Sequence, residues 1–138
     1  MIEREDFAAS RRIKPWAAIS GWAQVMDANR NPNPSCDGEV QVIRMALEQA
    51  NLSGPEIDYI NPHGTGSVIG DQIELRAIQQ CQLTSAFINA AKSITGHGLS
   101  AAGAVEIIAT LLQMKESRLH PTRNLEDPIE PSLSWVRE

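Results

Sequence analysis

Cysteine is scarce in this 138-residue chain: it has two, Cys36 and Cys81, far apart and outside any close-paired ligand spacing. A disulfide framework is therefore not expected, and both residues read as free thiols in a reducing, cytoplasmic setting. A zinc site assembled from His63, His97, Cys36 and Cys81 is possible by residue type but matches no paired metal pattern. Basic residues are outnumbered, 12 against 17 acids, for a net charge of −5. No Lys/Arg cluster stands out, which argues against a nucleic-acid partner. No apolar run approaches the length of a membrane span, and the charged opening Met1-Ile2-Glu3-Arg4-Glu5-Asp6 does not read as a signal peptide. The chain has no internal repeat and no low-complexity segment. It lacks the G-x-S-x-G elbow of a serine hydrolase. Gly64-Thr65-Gly66-Ser67-Val68-Ile69-Gly70 lacks the Gly-Lys-Ser/Thr end of a phosphate loop. What remains is an ordinary globular composition, 42% hydrophobic and 21% charged, long enough for one domain and one core.

Residues 1–14 are charged apart from Phe7-Ala8-Ala9 and read as a lead-in segment, with 15–138 as the domain. Pro15 to Met26 is rich in β-formers and nearly free of charge, which predicts a long strand with a kink or bulge at Gly21. Asp27 to Asp37 is a loop with Asn, Pro and Ser as its turn residues. Asp37 is placed to cap a helix in which Val40, Ile43, Leu47 and Ala50 recur at helical spacing, ending before Ser53-Gly54-Pro55. Ile57 to Ile60 predicts a short buried strand, Asp71 to Gln82 a helix and Ala86 to Ala91 another short strand. Leu99 to Lys115 predicts the clearest helix, with Val105, Ile108, Ala109 and Leu112 on one face. Pro121, Pro128 and Pro131 mark an extended tail, with a last short strand at Leu133 to Val136. Strands alternating with helices imply an α/β layered fold with a mixed or parallel sheet.

Two histidines stand out. His63 lies in Asn61-Pro62-His63-Gly64-Thr65-Gly66-Ser67, directly after the predicted strand, where open α/β sheets place their chemistry. Gly64 and Gly66 let a ligand approach, and the Thr65 and Ser67 hydroxyls can bond a polar ligand arm. The plainer reading is a turn histidine that precedes a helix. His97 lies in Lys92-Ser93-Ile94-Thr95-Gly96-His97-Gly98, again between a strand and a helix. An imidazole beside a helix N-terminus tends to be neutral and can donate to a developing oxyanion. The small residues Ser100-Ala101-Ala102-Gly103-Ala104 are equally explained by tight packing of helix on sheet. Lys92 reads either as a site residue or as a solvated lysine. Glu106 faces solvent, or it faces inward and needs a partner, for which Lys92 is the obvious choice. Glu74 reads as part of a solvated face, and Asp71 as a cap on the helix after the glycine-rich loop.

Taken together, His63-Gly64-Thr65-Gly66-Ser67 with Gly70-Asp71 and Glu74 resembles the HGTGT…GD…E motif of β-ketoacyl synthases, the condensing enzymes of fatty-acid and polyketide synthesis. Ala91 to His97 followed by Ala101-Ala102-Gly103-Ala104-Val105-Glu106 resembles their KS…GH…AAGA…E motif. Pro121-Thr122-Arg123-Asn124-Leu125-Glu126 resembles their PPTLNLE segment. The resemblance runs from about Trp16 to Val136. It implies the C-terminal half of a thiolase-like α/β fold, a mixed sheet packed with helices.

By that resemblance, His63 and His97 are the two active-site histidines that hydrogen-bond a malonyl thioester and stabilise its enolate. Lys92 is the active-site lysine, Glu106 its carboxylate partner and Asp71 a supporting residue. Thr65 and Ser67 contact a phosphopantetheine arm, Ser67 standing where Thr is commoner and Pro62 where a small residue is commoner. No cofactor beyond that carrier-borne arm and no metal is implied. The family's nucleophilic cysteine lies in its N-terminal half, in a Cys-Ser-Ser context that neither Cys36 nor Cys81 resembles. A Gly-Phe-Gly-Gly segment of the family is also not found before Glu138. The expected partners are therefore an acyl carrier protein and either a ketosynthase N-terminal half or a second copy. Three roles follow: the histidine half of a decarboxylative condensation, a cysteine-independent malonyl-carrier-protein decarboxylase, or a non-catalytic remnant that binds a carrier protein or a synthase. Whether the chain is an enzyme by itself stays open at this point.

Overall fold

Three two-residue strands frame the site. In the computed structural model, which describes residues 1–29 and 33–137, β1 (Tyr59–Ile60), β2 (Phe87–Ile88) and β3 (Ser134–Trp135) form one sheet in that order. All pairs are parallel, with Ile60 opposite Ile88 and Ile88 opposite Trp135. Further bonds extend the pairing on both sides: Phe87 N to Asp58 O at 2.9 Å, Asn89 N to Ile60 O at 3.3 Å and Val136 N to Ile88 O at 3.0 Å. Parallel strands require long crossovers, and both here carry helix. The helices are α1 (Glu5–Ser10), α2 (Cys36–Ala50), α3 (Val68–Gln80), α4 (Lys92–Thr95) and α5 (Ala102–Glu116).

The apolar core lies where α2 and α3 meet the sheet. It contains Val40, Leu75, Ala77, Ile78, Cys81, Leu83, Ile88 and Leu133, with Ile43, Ile57, Ile60 and Trp135 packed around them. Ile88, on the central strand, has no exposed surface. The helices carry their own start signals. Ser35 Oγ accepts from Gly38 N at 3.2 Å to cap α2, and Ser67 Oγ accepts from Gly70 N at 3.1 Å to cap α3. The caps expected at Asp37 and Asp71 therefore fall to serines. Both aspartates sit instead in the first turn, where a carboxylate faces the positive end of the helix dipole.

The strand expected over Pro15 to Met26 is not formed: among the described residues this stretch has no ladder partner. It carries no regular element and alternates half-buried and exposed positions from Gly21 to Met26, but its neighbour is α2. Trp22 N donates to Gln49 Oε1 at 2.7 Å, and a Cβ on Gly21 would come within 2.2 Å of Ala46 O. Gly21 thus marks a close approach of two backbones, with no bulge. A helix has spent its backbone groups internally and cannot complete a ladder. Residues 30–32 of the predicted Asp27–Asp37 loop lie outside the described residues.

The larger surprise is the orientation of α5. Its expected apolar face is turned outward: Val105, Ile108 and Leu112 are exposed, as are Ile107 and Met114. Glu106 and Gln113, two turns apart, are among the side chains that face the sheet side, with Thr110 between them bonded to Tyr59. The predicted helix from Leu99 also begins as a short 3-10 turn, Leu99–Ala101, before α5 proper. Phe87 of β2 is exposed as well, while its neighbour Ile88 is fully buried.

Candidate active site

Both histidines leave the carboxyl ends of adjacent strands. β1 runs into the loop that carries His63. β2 runs through Asn89-Ala90-Ala91 into α4 and then into the Gly96-His97-Gly98 loop. Since β1 and β2 are parallel neighbours, the two loops open on the same edge of the sheet. The rings meet edge to face, centroids 5.1 Å apart and planes at 84°. Both residues are exposed at that edge.

Each loop is held by named bonds. Glu74, on the second turn of α3, accepts from His63 N at 2.6 Å and from Gly64 N at 3.0 Å. Its carboxylate therefore braces the histidine loop and is not part of a solvated face. Gly64 has φ +43°, and a Cβ there would meet the Ala90 Cβ at 3.0 Å, so the two site loops touch at a point where only glycine fits easily. Asn61 Oδ1 accepts from Ala91 N at 3.1 Å, a second tie between the loops. The Leu99 N–H donates to His97 Nδ1 at 3.2 Å. A ring nitrogen that accepts carries no proton, so the His97 proton sits on Nε2 and is available to a substrate oxygen.

Lys92 is buried, and its ammonium pairs with the Glu106 carboxylate; the side chains are 5% and 16% exposed. It is not a solvated lysine, and Glu106 faces inward. The first turn after β2 is fixed further by the tail. Thr122 Oγ1 accepts from Ala90 N at 3.0 Å, Ser93 Oγ donates to Ala90 O at 2.7 Å, and Ser93 Oγ accepts from Arg123 N at 3.0 Å. This gives the Pro121–Glu126 segment a structural reason: it clamps the Lys92 turn. Thr65 and Ser67 are exposed on the His63 loop. The Ser67 oxygen serves as the α3 cap, which leaves its O–H free to donate. Asp71 stays near the loop through its own N–H, which bonds Ser67 O at 2.8 Å.

The cysteines lie elsewhere. Cys81 is buried in the α2–α3 core with its thiol directed at Val40 O, and burial pushes that thiol up from its ordinary value. A thiol kept protonated in a core is a poor nucleophile. Cys36 is half-buried at the start of α2 and accepts from Gln80 Nε2 at 3.6 Å. Behind the His63 loop, burial pushes the Glu39 carboxyl up to about 7, helped by the charges of Glu74 and Asp27. Residue type alone points neither to the tie Asn61 nor to the buried Asn89, and it reads the brace Glu74 as solvated. The signal for Glu74 was its position in the GD…E motif.

Comparisons with known proteins give the family and the fold. A family profile described as the β-ketoacyl synthase C-terminal domain matches residues 16–126. The chain belongs to the β-ketoacyl synthase family. Over all 138 residues it is 62% identical to a polyketide-biosynthesis malonyl-ACP decarboxylase, PksF, of Bacillus subtilis, covering 33% of that protein. It is 42% identical over 133 residues to 3-oxoacyl-[acyl-carrier-protein] synthase 1 of Buchnera aphidicola, covering 32% of it. A crystal structure of a β-ketoacyl synthase from Burkholderia phymatum superposes on 99% of the chain with a TM-score of 0.90 at 31% identity, over 34% of that protein. A type II polyketide ketosynthase, AntDE, solved with its acyl-carrier protein AntF, superposes with a TM-score of 0.84 at 31% identity, over 98% of this chain and 34% of that one. This ketosynthase C-terminal domain thus spans about a third of the length of the curated relatives it matches. Among the described residues no helix is long and apolar enough to cross a membrane.

Proposed function

We propose that this ketosynthase domain supplies the histidine half of a site that decarboxylates a malonyl thioester carried on the phosphopantetheine of an acyl carrier protein. The observation that carries this reading is the His63–His97 pair, edge to face at 5.1 Å, with His97 Nδ1 occupied by the Leu99 N–H. The Nε2–H of His97 then donates to the thioester carbonyl oxygen. The bond between the α-carbon and the carboxylate breaks, carbon dioxide leaves, and the electron pair passes into the enolate whose oxygen that donor stabilises. His63, on the braced neighbouring loop, is the second donor to that oxygen in this reading. The exposed hydroxyls of Thr65 and Ser67 on the same loop are the groups that bond the pantetheine arm in this reading. Lys92 with Glu106 stands directly behind the His97 turn as a buried charge pair.

The enolate has two fates. Protonation gives an acetyl thioester, and the 62% identical relative named as a malonyl-ACP decarboxylase favours this outcome. Attack on an acyl thioester forms a new carbon–carbon bond and releases a thiol. The 42% identical 3-oxoacyl synthase supports that second reading, which requires a cysteine outside this domain. A carrier protein and the remainder of a ketosynthase core are the partners proposed, with the free thiols Cys36 and Cys81 fitting a cytoplasmic setting. The test is product analysis with malonyl carrier protein and the protein that carries this domain. Acetyl carrier protein, formed by wild type and lost in His63→Ala, supports decarboxylation. A 3-oxoacyl product formed when an acyl donor is added supports condensation. No release of carbon dioxide above background refutes both.

A further inference from the structure

A second polar array lies one layer behind the histidines. Asn89 is fully buried at the end of β2. Its Oδ1 accepts from the Tyr59 hydroxyl, and its Nδ2 donates to Gln113 Oε1 at 2.9 Å and to His120 O at 2.6 Å. Gln113, buried on α5, closes the ring by donating from Nε2 to the Tyr59 oxygen at 3.2 Å. Its Oε1 also accepts from His120 N at 3.0 Å. Asn89 thereby uses both its donors and its acceptor, and Gln113 uses its acceptor twice and one donor, so the ring's polar atoms are partnered as a buried cluster requires.

The ring joins β1, the turn after β2 and α5. Tyr59 is on β1, four residues before His63. Asn89 is three residues before Lys92. Gln113 lies two helical turns after Glu106, on the same side of α5. Burial pushes the Tyr59 hydroxyl up from its ordinary value, and the nearby Glu106 charge adds to the rise, so the phenol keeps the proton it donates to Asn89. A plain apolar contact between α5 and the sheet would allow the helix to rotate or slide. Directional bonds at two fixed points do not.

We propose that the Tyr59–Asn89–Gln113 ring is a positioning device that sets the register of α5 on the sheet, and so places Glu106 against Lys92 beside the His97 turn. Its three side chains are positioning residues, and the claim that they serve catalysis rests on the decarboxylation reading above.

The test uses Tyr59→Phe and, as an independent second variant, Gln113→Met, in the protein that carries this domain. The first readout is the 1H–15N NMR signal of the Lys92 ammonium, which needs no activity. The second is the split between kcat and KM for malonyl carrier protein. The expected result is native far-UV circular dichroism, a Lys92 signal that shifts and broadens, and kcat lowered about 10- to 100-fold with KM unchanged. An unchanged Lys92 signal in a folded variant overturns the proposal. So does a moved signal with unchanged kcat, or a kcat that falls only in step with the fraction unfolded. If wild type releases no carbon dioxide, the function reading fails while the Lys92 signal still decides whether the ring sets the helix register.

Discussion

On the α2–α3 side of the sheet the inward side chains are Val40, Leu75, Ile78 and Leu83. Along α5 they include Glu106 and Gln113, while Val105, Ile108 and Leu112 point outward. The two sides therefore divide the work. The first is a close-packed apolar core, tolerant of surface change and sensitive to lost volume. The second is a hydrogen-bonded and charged layer in which each group depends on a partner. The histidines sit at the edge where the two meet, with His63 braced from α3 and His97 leading through the Leu99–Ala101 turn into α5. The difference teaches that apolar packing and partnered polar groups are housed in different layers, and that α5 belongs to the second.

That division can be broken most severely at Glu106. Glu106→Ala leaves the Lys92 ammonium buried without its counter-charge and should cost about 3–5 kcal/mol in urea unfolding. Replacing both partners, Lys92→Met with Glu106→Leu, should recover most of that stability and none of the decarboxylation. If the single variant is as stable as wild type, the polar layer is not closed. On the other side, Leu75→Ala should cost about 3 kcal/mol through the cavity it leaves. The folded fraction should keep wild-type kcat; a specific loss of kcat would show that the apolar layer also shapes the site.

A smaller effect is expected from the outward row of α5. A contiguous apolar face of this kind implies cover in the whole protein. Ile108→Ser should then cost about 1–2 kcal/mol there. A change below about 0.5 kcal/mol would mean that the face is open to water. The smallest effect concerns Glu39, whose carboxyl is pushed up to about 7 from 4.5. The folded state holds that proton more tightly than the unfolded chain does, so stability should fall as pH rises from about 4.5 to about 7 and level off above. Glu39→Gln should flatten that slope in unfolding experiments run across the window. An unchanged slope would remove Glu39 as its source.

Much of the site was legible in the residue pattern, because its parts are local in sequence. Each histidine sits in a glycine-containing loop after a short apolar strand, and an inward-facing Glu106 needs a cation, for which Lys92 is the obvious choice. The α/β order was legible for the same reason: helices and buried strands differ in period. What could not be read was which way an element faces. Val105, Ile108 and Leu112 mark an apolar face, but periodicity does not say whether this domain or another surface covers it. The Pro15–Met26 stretch has strand composition, yet a ladder depends on a neighbour that composition cannot reveal. Glu74 looked solvated because its partners are backbone N–H groups of a loop ten and eleven residues away. Asn89 and Gln113 carried no motif at all, and their role rests on a contact between β2 and α5.

The most direct measurement for the account as a whole is the rate of carbon dioxide release from malonyl carrier protein by His97→Ala, set beside wild type of matched thermal midpoint. Loss of the Nε2–H donor predicts a rate about 10²- to 10³-fold lower. A rate equal to that of wild type would contradict the assignment of the two-histidine edge as the decarboxylation site.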